Sequence, residues 1–213
     1  MDEFLQSHKR VHIEQAVHAL QKHGFEAQFF QTRDEAVRFI NNEAENCQTI
    51  GVGGSKTVRA LGVLELLEAA GKTVYNNWKI KPGTPEELQC RKLQMTADLF
   101  LSSANAVTMT GEIVNKEASG NRTNSMTFGP PHAIIIVGRN KIVPDLDAAF
   151  DRIETLAAPV RAMSMRRKTP CVETGICMDC NSPERICCIT SILHRKPFFT
   201  RISVAILDED LGY

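Results

Sequence analysis

Residues 133–137, Ala-Ile-Ile-Ile-Val, are apolar at every position. Side chains along a strand alternate between two faces, so a strand apolar throughout needs cover on both. That is the pattern of a central strand in a parallel sheet enclosed by helices. The flanking sequence supplies such helices. Ile13, Val17 and Leu20 form one apolar stripe within a predicted helix over 3–23, and Gly24 suits its end. Thr32-Arg-Asp-Glu35 has the spacing of a capping box and opens a helix over 33–45. Val58, Leu61 and Leu64–Leu67 predict a helix over 57–70 that stops at Gly71, and Thr84-Pro-Glu-Glu87 opens another to about 97. Asp145 caps a helix that Pro159 is expected to kink.

Short β-type segments fall between these helices at 26–31, 49–52, 73–75, 98–102, 106–110, 113–114 and 202–207. Strands alternating with helices of this length imply βαβ units. The expected fold is α/β, an open, largely parallel sheet with helices on both faces. Residues 1–213 are expected to form a single domain, with 166–200 a cysteine-rich insertion before the last strand. In that last strand Ile202, Val204 and Ile206 alternate with smaller or more polar positions, which places it in the same sheet as 133–137.

Charge excludes some partners. Lys+Arg and Asp+Glu are both 25, so there is no basic excess for nucleic acid or an anionic membrane. No apolar run approaches the ~18 residues of a membrane span, and the charged start of the chain predicts no secretory leader. A cytoplasmic location is the expectation.

Ile50-Gly-Val-Gly-Gly-Ser-Lys-Thr57 lies at a strand-to-helix junction, where backbone N–H groups and the positive helix end favour anions. Gly51, Gly53 and Gly54 permit close approach of a ligand, Ser55 can cap the helix, and Lys56 can pair with a phosphate or carboxylate. The final glycine of a dinucleotide fingerprint is missing, and a tight turn with nothing bound is the alternative. A second polar loop contains Thr110-Gly-Glu112 and Ser119-Gly-Asn-Arg-Thr-Asn-Ser125. Asn121 and Arg122 are candidate anion ligands, Arg122 through a bidentate fork. Glu112 is the candidate catalytic carboxylate, as base or nucleophile, against the alternative of a solvated loop. His8 and His12 are four apart on one helix face, without companion ligands, and are expected to be helix-surface residues.

Cysteine usage is the sharpest chemical signal. Five of seven cysteines fall between Cys171 and Cys188, as Cys171-x5-Cys177-x2-Cys180-x6-Cys187 with Cys188 adjacent; Cys47 and Cys90 are isolated. Clustered thiols in a reducing compartment point to metal or redox chemistry. Cys171, Cys177, Cys180 and Cys187 are the candidate ligands, with Cys188 as substitute. One C-x2-C pair and irregular outer spacings suit a [4Fe–4S] cluster better than zinc, which remains the alternative. In protein purified in air, free thiols or a Cys177–Cys180 disulfide and no bound group are equally expected. Arg166, Arg167, Lys168 and Arg185 favour thiolates.

Taken together, Gly51-Val-Gly-Gly-Ser55, Thr110-Gly-Glu112, Gly120-Asn-Arg122, the 131–145 stretch PHAIIIVGRNKIVPD and Ile206-Leu-Asp-Glu-Asp-Leu-Gly212 resemble the LUD-domain (lactate utilisation) family, especially its small C-type subunits. The resemblance implies a sheet like that of the ribose-5-phosphate isomerase and CoA-transferase superfamily, whose strand–glycine loop–helix element binds phosphate or acyl ligands. It implies a redox or iron–sulfur subunit in the use of a small 2-hydroxy acid such as lactate. Its partners would be a small anionic metabolite, proteins of a redox complex, or further copies of the chain. The cysteine segment departs from the small subunits and marks a separate branch. Two other readings stay open: a metabolite-binding regulatory module with structural zinc, and a sugar-phosphate isomerase or acyl-transferase using Glu112.

Overall fold

The computed structural model describes residues 3–213. Its main sheet has six strands, all parallel: β1 (Glu26–Phe30), β2 (Thr49–Val52), β3 (Thr73–Tyr75), β4 (Leu99–Ser102), β7 (His132–Gly138) and β10 (Arg201–Leu207). Their spatial order is β1-β10-β7-β4-β2-β3. Strand β7 is central and buried at every residue, as the apolar run requires. Ile202 pairs with Ala133 and Ile206 with Val137, so the last strand lies beside it.

Alternation along the strands divides the core in two. Ala133, Ile135 and Val137 pack with Val204 and with Ile13, Ala16 and Leu20 of α1 (Glu3–Lys22) on one face. Ile134 and Ile136 pack on the other with Ile40 of α2 (Arg33–Glu43), Val58 of α3 (Lys56–Ala60) and Leu64 and Leu67 of α4 (Val63–Ala69). The capping box is formed: the Glu35 backbone N–H donates to Thr32 Oγ1, and the Glu35 carboxylate accepts from the Thr32 N–H at 3.1 Å.

The helix expected over 57–70 is two helices. Gly62 adopts φ +67, a left-handed conformation that breaks the turn between α3 and α4. Helix α5 (Pro85–Gln94) starts from Thr84 as expected, and ends three residues earlier than 97.

A second, four-stranded sheet was not foreseen. It comprises β5 (Ala106–Thr108), β6 (Ile113–Glu117), β8 (Ile142–Val143) and β9 (Ile189–Leu193), in the order β8-β5-β6-β9. Strand β9 falls inside the 166–200 segment, pairing antiparallel with β6. Ala106, Val114, Val143, Ala149 and Ile153 give this sheet its own small core. Helix α6 (Asn121–Thr127) leads from β6 back to β7.

Pro159 leaves its expected mark. Helix α7 (Leu146–Arg152) passes through a π-helical turn, Ile153–Ala157, into α8 (Ala158–Ser164). A proline ring inside a continuous helix meets the carbonyl four residues back, and widening the preceding turn relieves that clash. Among the described residues no helix is long and apolar enough to cross a membrane.

Candidate functional site

Strands β2, β4 and β7 all run toward one edge of the main sheet. In α/β sheets ligands collect beyond the carboxyl ends of the strands. Here that edge opens into a cavity of about 340 Å³, which the second sheet and α8 enclose. Residues following β2 (Gly54, Ser55, Lys56, Thr57), β4 (Ser103, Ala104, Asn105) and β7 (Lys141) form its floor.

Ser55 caps α3, accepting from the Val58 N–H at 3.2 Å. Lys56 reaches the Tyr213 hydroxyl and its Nζ lies 4.4 Å from that ring. Gly54 is glycine because Trp78 crosses above it: a Cβ there would stand 2.7 Å from the indole Nε1. Gly51 and Gly53 are not on the cavity wall. A Cβ on Gly51 would meet the Gln94 carbonyl at 2.7 Å, and one on Gly53 would meet Arg122 Cγ at 3.0 Å. They act at one remove, letting α5 and Arg122 approach the loop.

Asn121 and Arg122 do reach the cavity. Asn121 accepts from Arg91 at 2.9 Å and donates to Gln94 at 3.2 Å, a chain that continues to Asn77 at 3.0 Å. Arg122 donates to the Ser103 carbonyl (3.2 Å), Asn105 Oδ1 (3.2 Å), the Lys116 carbonyl (3.3 Å) and the Glu117 carboxylate (3.4 Å). Burial pushes its guanidinium pKa down, against the pull of Glu117.

Glu112 is held elsewhere. Its carboxylate accepts from the Thr108 and Thr110 hydroxyls and faces His23, outside the cavity wall. Burial alone would raise its pKa, but those hydrogen bonds and His23 hold it below the usual range. This is the chemistry of a satisfied turn carboxylate. Gly111 beside it packs against the α1 backbone, where a Cβ would meet Ala19 at 2.9 Å.

Residues that sequence reasoning did not assign to the anion site make the cavity strongly basic. Lys116, Lys141, Arg91, Arg161, Arg167 and Arg185 join Lys56 and Arg122 on the wall, against only Glu117 and Glu184. Arg91 pairs with Glu87 (2.7 Å), Lys116 with Glu154 (3.3 Å) and Arg185 with Asp179 (2.9 Å). Lys56, Lys141, Arg161 and Arg167 have no carboxylate partner among the described residues. Arg167 Nε is buried with no hydrogen-bond partner at all. Arg161 and Arg59 lie 5.2 and 4.4 Å from the Trp78 ring. An anion entering this space meets Lys56, Arg161 and Arg167, which no carboxylate neutralises. Arg167 and Arg185 stood out in the sequence only as neighbours of the cysteines, and the others carried no local signal.

The cysteines converge beside it. Cys171, Cys177, Cys180 and Cys187 line one small pocket of about 10 Å³, walled also by Ala158, Met178 and Ile186. Cys188 is exposed and absent from this wall; its thiol points to the Arg185 carbonyl at 3.7 Å. Gly175 at φ +74 and Asp179 at φ +42 turn the loop inward. Arg185 fastens it, donating to the carbonyls of Cys180 (2.6 Å) and Cys187 (3.0 Å). Among the described residues no three His, Cys, Asp or Glu side chains converge closely enough to hold a single metal ion. Four thiols on one apolar wall are the donor set that a cysteine-ligated cluster uses. The space between the thiols, about 10 Å³, is narrow.

Ala158, Arg185, Ile186 and Cys187 belong to both walls, so the basic cavity and the cysteine pocket share a partition.

The LUD-domain sequence profile matches residues 13–207. The chain belongs to the LUD-domain family. The LUD fold is also seen in the crystal structure of a DUF162 family protein from Deinococcus radiodurans, which is similar with a TM-score of 0.52. That likeness covers 93% of this chain and 98% of the other at 13% identity, and it concerns the fold alone. No curated protein matches this LUD chain in sequence.

Proposed function

We propose that this LUD domain is a redox subunit that binds a small 2-hydroxy or 2-oxo acid, such as lactate or its oxidation product, next to an iron–sulfur centre. The shared partition between a basic cavity and four cysteines is the observation that carries this reading. Lys56, Arg161 and Arg167 are the free cations for the carboxylate, Asn121 and Ser55 are polar groups on the same wall, and Arg122 anchors the floor. Cys171, Cys177, Cys180 and Cys187 would hold the cluster, with Cys188 in reserve. A bound [4Fe–4S] group supplies one-electron transfer. The single Cys-x2-Cys pair with irregular outer spacings favours a cluster over the zinc of a purely regulatory module. An isomerase or acyl-transferase reading loses its support, because Glu112 does not face the cavity.

Thermal-shift titration tests the anion site. Lactate, pyruvate and a sugar phosphate are added to wild type and to Lys56→Glu and Arg161→Glu. Saturation at a hundredfold excess over Kd adds ~2.7 kcal/mol of stability, a shift of several degrees. Wild type should shift, and both variants should lose most of the shift. No shift with any anion, or equal shifts in the variants, defeats the site.

A further inference from the structure

We propose that Lys141 is the reacting amine of this site, condensing with the carbonyl carbon of a 2-oxo acid to form an imine. This rests on the reading of the cavity as a carboxylate site and adds a covalent step to it.

Lys141 is 4% exposed, follows β7 directly, and lines the cavity floor. Its Nζ has three neighbours: Ser103 Oγ at 2.9 Å, Thr57 Oγ1 at 3.0 Å and the Ala104 carbonyl at 3.1 Å. None is charged. Thr57 already donates its hydroxyl proton to the Leu211 carbonyl at 3.3 Å, so toward Lys141 it accepts. Thr57 and Ala104 therefore take two N–H bonds. Ser103 Oγ, whose own hydroxyl proton reaches the Ala104 carbonyl at 3.4 Å, is the third neutral partner, so no anion compensates a charge on this amine.

The charged groups facing Nζ are Arg152 from α7 and Arg122 from α6, both cationic. A buried ammonium beside guanidiniums and no carboxylate is costly, and such a group sheds its proton instead. Burial first, then Arg152 and Arg122, lower the Lys141 pKa from 10.5 to about 7. An unprotonated lysine amine is the nucleophile of Schiff-base chemistry.

The step balances without an oxidant. The nitrogen lone pair attacks the carbonyl carbon, a C=N bond replaces C=O, and both amine protons leave with the oxygen as water. Ser103, within hydrogen-bond reach of Nζ, is placed to relay a proton to the departing oxygen. Free cations on the same wall hold the carboxylate while the amine attacks.

Borohydride trapping tests this on the full chain. Wild type is incubated with pyruvate or 2-oxoglutarate, reduced with sodium borohydride, and read by intact mass and peptide mapping. The expected result is one reduced adduct on Lys141, absent with lactate, which has no carbonyl, and absent in Lys141→Met. Trapping should rise through about pH 7, not near 10.5. Mapping on wild type does not depend on how the variant folds. A thermal shift with pyruvate but no adduct, or an adduct only on Lys56 or Lys116, overturns the imine and leaves the cavity reading intact. Neither shift nor adduct overturns both.

Discussion

The backbone N–H of Cys177 donates to the carbonyl of Glu154 at 2.8 Å. That carbonyl is free because of Pro159. In the π turn Ala158 donates to Ile153, five residues back, and the next donor in the same register would be Pro159, which has no N–H. The orphan acceptor is taken by the cysteine loop instead. Pro159→Ala supplies the missing N–H, returns Glu154 to its helix and loosens the loop. Limited proteolysis within 173–181 should quicken severalfold while the melting temperature holds or rises. Unchanged cleavage would show that the proline has no part in placing Cys177.

Gly54→Ala tests the roof of the cavity. The new Cβ would lie 2.7 Å from Trp78 Nε1, so the indole and the guanidiniums beside it must move. Anion affinity should fall by tenfold or more, with stability changed by only ~1 kcal/mol because Gly54 is exposed. Isothermal titration with pyruvate, paired with urea denaturation, separates the two effects. Intact affinity would mean that Trp78 does not shape the site.

Deleting residues from Ile202 onward removes a strand seated between β1 and β7. Ile202, Val204 and Ile206 are each at most 1% exposed, and burying one such side chain contributes ~1.5–3 kcal/mol. Three such side chains amount to ~5–9 kcal/mol, comparable to the ~5–15 kcal/mol that holds a typical domain together, and both neighbouring strands lose their ladders as well. No soluble folded chain is expected. A truncated protein with the wild-type far-UV circular dichroism melt would refute the placement of this strand.

Stability should climb with pH between about 7 and 9. The folded Lys141 pKa is about 7 against 10.5 unfolded, so in this window the unfolded chain binds the extra proton and stability rises with pH, by at most ~1.4 kcal/mol per unit. Above about 9 the raised thiols of Cys47 and Cys90, desolvated by burial, work in the opposite direction. On the acid side His132, lowered below 6.5 chiefly by burial, withdraws stability as pH falls. Glu26 and Asp98 are held low, by the Arg201 hydrogen bond and the Thr49 N–H respectively, and withdraw more below about pH 4.5. Urea denaturation of wild type and Lys141→Met at pH 7, 8 and 9 checks the first claim: the variant should lose the slope.

Local signals carried most of the fold. Thr32 and Glu35, Thr84 and Pro85, and the apolar run 133–137 each declare their structure within a few residues. The break at Gly62 was hidden, because a lone glycine costs a helix only ~1 kcal/mol and the Leu-rich flanks keep helical spacing. Strand β9 was hidden because Ile189–Leu193 earns its place only by pairing with β6, more than seventy residues earlier. The same distinction governs the site. The cysteines and the glycine loop stand out by their spacing. Lys141 becomes unusual only when Thr57 and Ser103, 84 and 38 residues away in the chain, close around it without a carboxylate.

The most direct test of a redox centre beside an acid-binding cavity is the composition of anaerobically reconstituted protein. Iron, zinc and acid-labile sulfide are measured together with the visible spectrum, in wild type and in single Cys→Ser variants. The account predicts a band near ~400 nm with about four irons and as many sulfides per chain. Each change at Cys171, Cys177, Cys180 or Cys187 should remove most of it, and changes at Cys47, Cys90 or Cys188 should not. Wild-type protein that stays colourless and free of iron would contradict it.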